Sequence, residues 1–169
     1  MLDARTRKER ARRSLWVSGQ EVNYQMMWNA AETAQVMSEA RDCFVNGSFL
    51  AVLTLALAYA EHTLIDALPV QLTRKGKVKP VMLSDAVEMA KAQQLFPAAL
   101  LDRVASLVSN RNPYVHRRPA DEPDTLAMRA NARKVQPKTV TELDAQEAIR
   151  VMHEFLQIRL YGTVDHTAP

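Results

Sequence analysis

Apolar residues recur at Val22, Met26, Ala30, Ala34, Met37, Ala40 and Phe44, three or four positions apart, which draws one stripe along an α-helix. Ahead of it, Ser18-Gly19-Gln20-Glu21 has the spacing of a capping box, in which a hydroxyl accepts from the third helical amide and a carboxylate reaches back to the cap amide. A helix is therefore expected to start at Ser18, with Asn46-Gly47 as a left-handed stop. From Phe49 to Ala60 the chain is apolar on every side. A membrane span needs about 20 apolar residues, and Glu61, His62 and Asp66 interrupt this run before it would cross. A central core helix is expected instead, ended by Leu68-Pro69.

Ser84-Asp85 with Glu88 opens a short helix running to about Gln94, and Phe96-Pro97 starts another. In the latter, Leu100, Leu101, Val104, Leu107 and Val108 form an apolar stripe that leads directly into Arg111. Two prolines, Pro119 and Pro123, make residues 117–123 an irregular surface loop. A short helix is expected from Thr125 to Lys134. Thr139-Val140-Thr141-Glu142 repeats the capping pattern, and Leu143, Ala145, Ile149, Met152, Phe155, Leu156 and Leu160 line a closing helix stopped by Gly162. No segment alternates as a strand does. The expected class is all-α, an antiparallel bundle of four core helices plus short accessory helices. Residues 1–17 form a basic arm, 18–162 the helical domain and 163–169 a tail.

The length of 169 residues and 47% hydrophobic content suffice for one core and not for two. Cys43 is the single cysteine, so no intrachain disulfide can form; with neither a cleavable signal pattern nor a CxxC framework, a cytoplasmic setting without membrane contact is expected. The formal net charge is only +3, but the arm Arg5-Thr6-Arg7-Lys8-Glu9-Arg10-Ala11-Arg12-Arg13 is densely basic. It would suit a polyanionic partner; the competing reading is a solvated tail or the exposed face of an N-terminal helix, and the arm by itself is not evidence of nucleic-acid binding. A second cationic run, Arg74-Lys75-Gly76-Lys77-Val78-Lys79-Pro80, carries two helix breakers and is expected to be an exposed connection. Trp16, Met26, Met27 and Trp28 would suit a contact patch for a larger partner, though core packing is the more usual fate of such side chains.

Candidate chemistry is narrowed by what is missing. His62, His116, His153 and His166 have neither HExxH nor a paired histidine at helical spacing, so no metal site is expected. No GxxxxGK[ST], GxGxxG or GxSxG occurs either, and no cofactor is expected. What remains is Asn110-Arg111-Asn112-Pro113-Tyr114-Val115-His116-Arg117-Arg118, where an apolar helix stops. Pro113 cannot donate a backbone hydrogen bond inside a helix, so Arg111 and His116 are expected on either side of a helix end or kink, where they can converge.

Those two side chains suit RNA cleavage by the 2′-hydroxyl. The reaction needs a base, an acid and cationic donors for the charge that develops on phosphorus; it needs no metal in principle. A guanidinium forks onto phosphate oxygens, and an imidazole of ordinary pKa about 6.5 exchanges protons near neutrality. Asn112 would orient the imidazole or the phosphate. Arg117, Arg118, Arg74, Lys75 and Lys77 are candidate RNA contacts. One motif histidine per chain supplies separate acid and base more easily if two chains meet across a two-fold axis, so a homodimer is expected unless Glu61, Tyr114 or an arginine fills the second role.

Arg111-Asn112 followed by His116 after four intervening residues resembles the Arg, polar, four-to-six-residue spacer and His motif of the HEPN superfamily. Leu83-Ser84-Asp85 with Ala90, Leu101 and Leu107 resembles the helix pair before that motif, and Asp144-Ala145-Gln146-Glu147-Ala148-Ile149 resembles the final helix. The likeness spans roughly residues 20–160. It implies that Arg111 and His116 are catalytic and Asn112 supports them, in a composite site of a dimer of helical bundles. It further implies a metal-independent endoribonuclease, a toxin or antiviral defence effector, with room for an antitoxin or regulatory partner. Glu61 resembles a carboxylate often found on the central helix of such proteins, where it would hold Arg111 or His116; a solubilising role is the alternative. Some HEPN toxins carry a Tyr, the target of a partner antitoxin, two residues after the His. Arg118 stands there in this chain, which puts that mode of neutralisation in doubt. The competing expectation is a noncatalytic HEPN-like module for binding RNA or nucleotides, or for dimerisation.

Overall fold

The computed structural model describes residues 4–20, 31–69, 80–116, 119, 122 and 124–161. Among them the chain is all-helical: α1 (Ala4–Ser18), α2 (Ala31–Asn46), α3 (Phe49–Ala67), α4 (Leu83–Ala92), α5 (Ala98–Val115), α6 (Leu126–Arg133) and α7 (Pro137–Tyr161). The Arg74–Lys79 connection and the motif neighbours Arg117 and Arg118 lie outside the described residues, as do Met26, Met27, Trp28, Gly162 and His166.

α3 is the hub. It packs against α2, α4, α5 and α7 and buries much of its Ala and Leu run among them, while Leu50, Thr54, His62 and Ile65 stay exposed on one side. By length and composition alone α3 could cross a membrane, but Val52, Leu53, Ala56, Leu57, Ala60 and Leu64 are buried inside the bundle. Phe44 from α2, Leu100, Leu101, Val104 and Leu107 from α5, and Met152 and Phe155 from α7 complete the core. Full burial of such side chains stabilises by about 1.5–3 kcal/mol each. Two residues expected on inner stripes point outward. Ala34 is exposed, and so is Leu143, whose place beside the core is taken by Asp144.

Three helices end in the same way. After α2, the Ser48 amide donates to Cys43 O (2.8 Å) and the Gly47 amide to Phe44 O (3.0 Å), a Schellman closure around Gly47 at φ +82°. α4 closes identically around Gln94 and α6 around Lys134, each at φ +53°. Only the first uses a glycine, and the other two backbones are strained accordingly.

Both expected capping boxes are replaced. Ser18 does not open a helix; it is the last residue of α1, and the Gly19 amide donates back to Leu15 O (3.1 Å). The closing helix starts two residues ahead of Thr139, at Pro137, because proline has no amide to leave unpaired there and its φ is already helical. Thr141 Oγ1 then donates to Lys138 O (2.9 Å) within the helix. Glu142 is thereby free for a different partner. It binds Arg12 Nη2 and Arg13 Nε of α1, which fastens the basic N-terminal segment to the bundle as a helix.

Candidate functional site

α5 does not stop at Arg111. It continues through Pro113 to Val115, and His116 is the C-cap with extended backbone, its amide donating to Asn112 O (2.9 Å). Of the helix end or kink expected at Pro113, the end is not found there; it comes after Val115. Arg111 thus stands in the last turns of the helix and His116 just beyond its last residue. Arg111 and Asn112 are half-buried and His116 is exposed. Among the described residues, neither the Arg111 guanidinium nor the His116 imidazole is engaged in a hydrogen bond or ion pair. Glu61 is half-buried on α3 and makes no ion pair with either of them.

The adjoining face of α5 is tied down. Asn110 Nδ2 donates to Asp144 Oδ1 of α7 (3.4 Å), and the same oxygen accepts from Arg129 Nη2 of α6. The Arg129 and Asp144 side chains are only 10% and 5% exposed, so this is a buried ion pair shared among three helices. Tyr114, one turn beyond Asn110, brings its hydroxyl to the same place. Burial pushes the Tyr114 phenol above its usual pKa and the Asp144 charge adds to that, while Arg129 opposes it. Tyr114 Oη, Arg129 Nη1 and Asp144 Oδ2 are all buried without a hydrogen-bond partner. Three unsatisfied polar atoms thus gather in one cluster beside the motif.

A cleft of about 180 Å³ opens over the cluster between α5 and α7, lined by Arg103, Ser106, Asn110, Arg133, Asp144 and Glu147 among others. Arg103 spans its far end, bound to Glu147 Oε1 (2.5 Å) and to Glu154. Burial weighs against the charge of Arg103, but the two carboxylates outweigh it and raise its pKa. The remaining histidines lie elsewhere: His62 is exposed on α3, and His153 on α7 is buried with Nδ1 2.6 Å from Gln20 O. Among the described residues, no three of His, Cys, Asp and Glu gather as metal ligands would.

Arg111, Asn112, Tyr114 and His116 thus share one helix end, and Glu61 is not joined to them. Asn110 and Asp144 stand in segments that the sequence singles out but without this role, and Arg129 is not singled out at all. The available signal was Asp144 itself, a carboxylate four residues before Ala148 on the apolar face of α7, with Arg129 beside the buried Ala130 of α6. Comparison with protein-family models, curated protein sequences and solved structures gives no match.

Proposed function

We propose that the chain is a metal-independent endoribonuclease of the HEPN type, acting in a reducing cytoplasm as a toxin or antiviral effector, with a composite site formed by two copies. One observation carries it: Arg111 and His116 have no internal partner among the described residues, although the same helix end is anchored by the buried Asn110-Asp144-Arg129 network. A guanidinium and an imidazole without internal partners, beside a rigidly held helix end, are open to an RNA phosphate.

In this scheme one His116 takes the proton of the 2′-hydroxyl as its oxygen attacks phosphorus. The bond from phosphorus to the 5′-oxygen breaks, and His116 of a second copy delivers a proton to that oxygen. The products are a 2′,3′-cyclic phosphate and a free 5′-hydroxyl. Arg111 holds the non-bridging oxygens as charge builds on them, and Asn112 orients the phosphate. One motif histidine per chain for two proton transfers is why a second copy is invoked. The alternative is a noncatalytic module that binds RNA or a nucleotide through Arg111.

The decisive assay incubates single-stranded RNA with the protein in excess chelator. Cleavage should fall about 10²–10⁴-fold in His116→Ala and by a similar factor in Arg111→Ala, with the fold intact by circular dichroism. Light scattering should give twice the chain mass. Cutting that persists in both variants would remove the proposed site, and salt-sensitive RNA binding without cutting would establish the noncatalytic module.

A further inference from the structure

Helix α1 carries six cations, Arg5, Arg7, Lys8, Arg10, Arg12 and Arg13, against one carboxylate, Glu9. Like charges three and four residues apart repel, so such a helix is poorly stable alone. Here it is held by its inner face. Arg13 is only 4% exposed, donates to Glu142 Oε1 (3.3 Å), Glu9 Oε2 (3.2 Å) and Val45 O (3.4 Å), and lies over the Phe49 ring 5.0 Å from its centroid. Trp16, tilted against Phe44 at 5.0 Å, and the buried Val17 complete the seam.

The consequence is on the outside. Arg5 pairs with Glu9 and Arg12 with Glu142, but Arg7, Lys8 and Arg10 meet no carboxylate among the described residues. Arg7 and Lys8 are exposed and Arg10 half-buried, which spreads unneutralised charge over an arc of about 160°. A solvated charge run needs no such anchorage, since a tail would float as well. A buried arginine that fixes three unpaired cations in position instead fits a partner with closely spaced negative charge.

The proposed function narrows that partner to a nucleic acid strand. Glu142 holds α1 and Asp144 holds the end of α5, and residues two apart on a helix point about 200° apart. The anchors of α1 and of the motif-bearing end of α5 therefore lie on nearly opposite sides of the first turns of α7. We infer that the outer face of α1 is a phosphate-backbone contact for single-stranded RNA. The choice of RNA among polyanions rests on the proposed function; the anchored cationic face itself does not.

The test uses the full chain carrying His116→Ala, so that the strand stays whole, and a labelled 20-nucleotide oligouridylate titrated from 50 to 200 mM salt. Adding Arg7→Gln, Lys8→Gln and Arg10→Gln together should flatten the plot of log affinity against log salt by about 2, at about 0.7 per lost phosphate contact, and weaken binding at least about tenfold at the lowest salt. The melting temperature should hold or rise, because repulsion within α1 is relieved. An unchanged slope overturns the inference, as does an absence of RNA binding. Binding to vesicles rich in anionic lipid, with none to the oligonucleotide, also overturns it and identifies a membrane surface. Cleavage by the unaltered chain is read in parallel. A flattened slope without cleavage removes the nuclease alone, and cleavage with an unchanged slope removes the α1 contact alone.

Discussion

Asp144 Oδ1 receives both Arg129 Nη2 and Asn110 Nδ2, so a single carboxylate oxygen joins α5, α6 and α7 directly behind the motif-bearing helix end. Charge is buried there at a cost that the pair itself offsets, and each partner depends on the other.

Removing either partner should therefore be severe. Asp144→Ala or Arg129→Ala is expected to lose about 3–5 kcal/mol in urea denaturation, because the remaining charge is buried alone. The double replacement Arg129→Met with Asp144→Leu should recover most of that loss, since neither charge then has to be desolvated. If the double variant were as unstable as the single ones, the cluster would matter for its shape rather than its charge.

Tyr114 gives a prediction with a pH sign. Its hydroxyl is buried and unpaired, so Tyr114→Phe should leave stability at pH 8 unchanged or raise it by up to about 1 kcal/mol. The folded phenol titrates above its unfolded value of 10.0, as does that of Tyr59, chiefly through burial. A group raised on folding contributes stability that is fully present below the unfolded pKa and is lost as pH rises through the folded one. Unfolding midpoints should thus drop on the alkaline side of pH 10, and less steeply in Tyr114→Phe. A loss of more than about 1 kcal/mol at pH 8 would mean the hydroxyl has a partner.

The three matching helix ends can be ranked. Gly47→Ala should destabilise by about 1–2 kcal/mol, since its φ is +82° and an added Cβ would stand 3.0 Å from Arg13 Nη1, disturbing the α1 anchor as well. At Gln94 and Lys134, both exposed and at φ +53°, glycine should instead stabilise by up to about 1 kcal/mol after allowing for its freer unfolded chain. Thermal melts of the three variants should separate in sign.

Much of the bundle was readable because apolar spacing carries it. Phe44, Leu53, Leu107 and Phe155 fall on the inner stripes, and Gly47 marks its own turn. The readings that failed involve competition between local and tertiary options. Ser18 and Glu21 have cap spacing, but the turn continues α1 with an amide bond to Leu15 O. Thr139 to Glu142 looks like a start, but Pro137 begins the helix earlier and Glu142 is drawn to Arg12 and Arg13 from more than a hundred residues away. Left-handed ends at Gln94 and Lys134 carry no glycine to announce them. At the motif, residue types pointed to Arg111 and His116, while the network behind them needs three helices that only the folded chain brings together.

The central position of α3 has a consequence for the chain while it is being made. α3 ends at Ala67, and α7, which covers one of its sides, is complete only at Tyr161. At about 5–20 residues per second, the ribosome leaves that apolar side without its final cover for roughly 5–20 seconds. For that interval the nascent chain presents to chaperones a surface that the finished protein conceals.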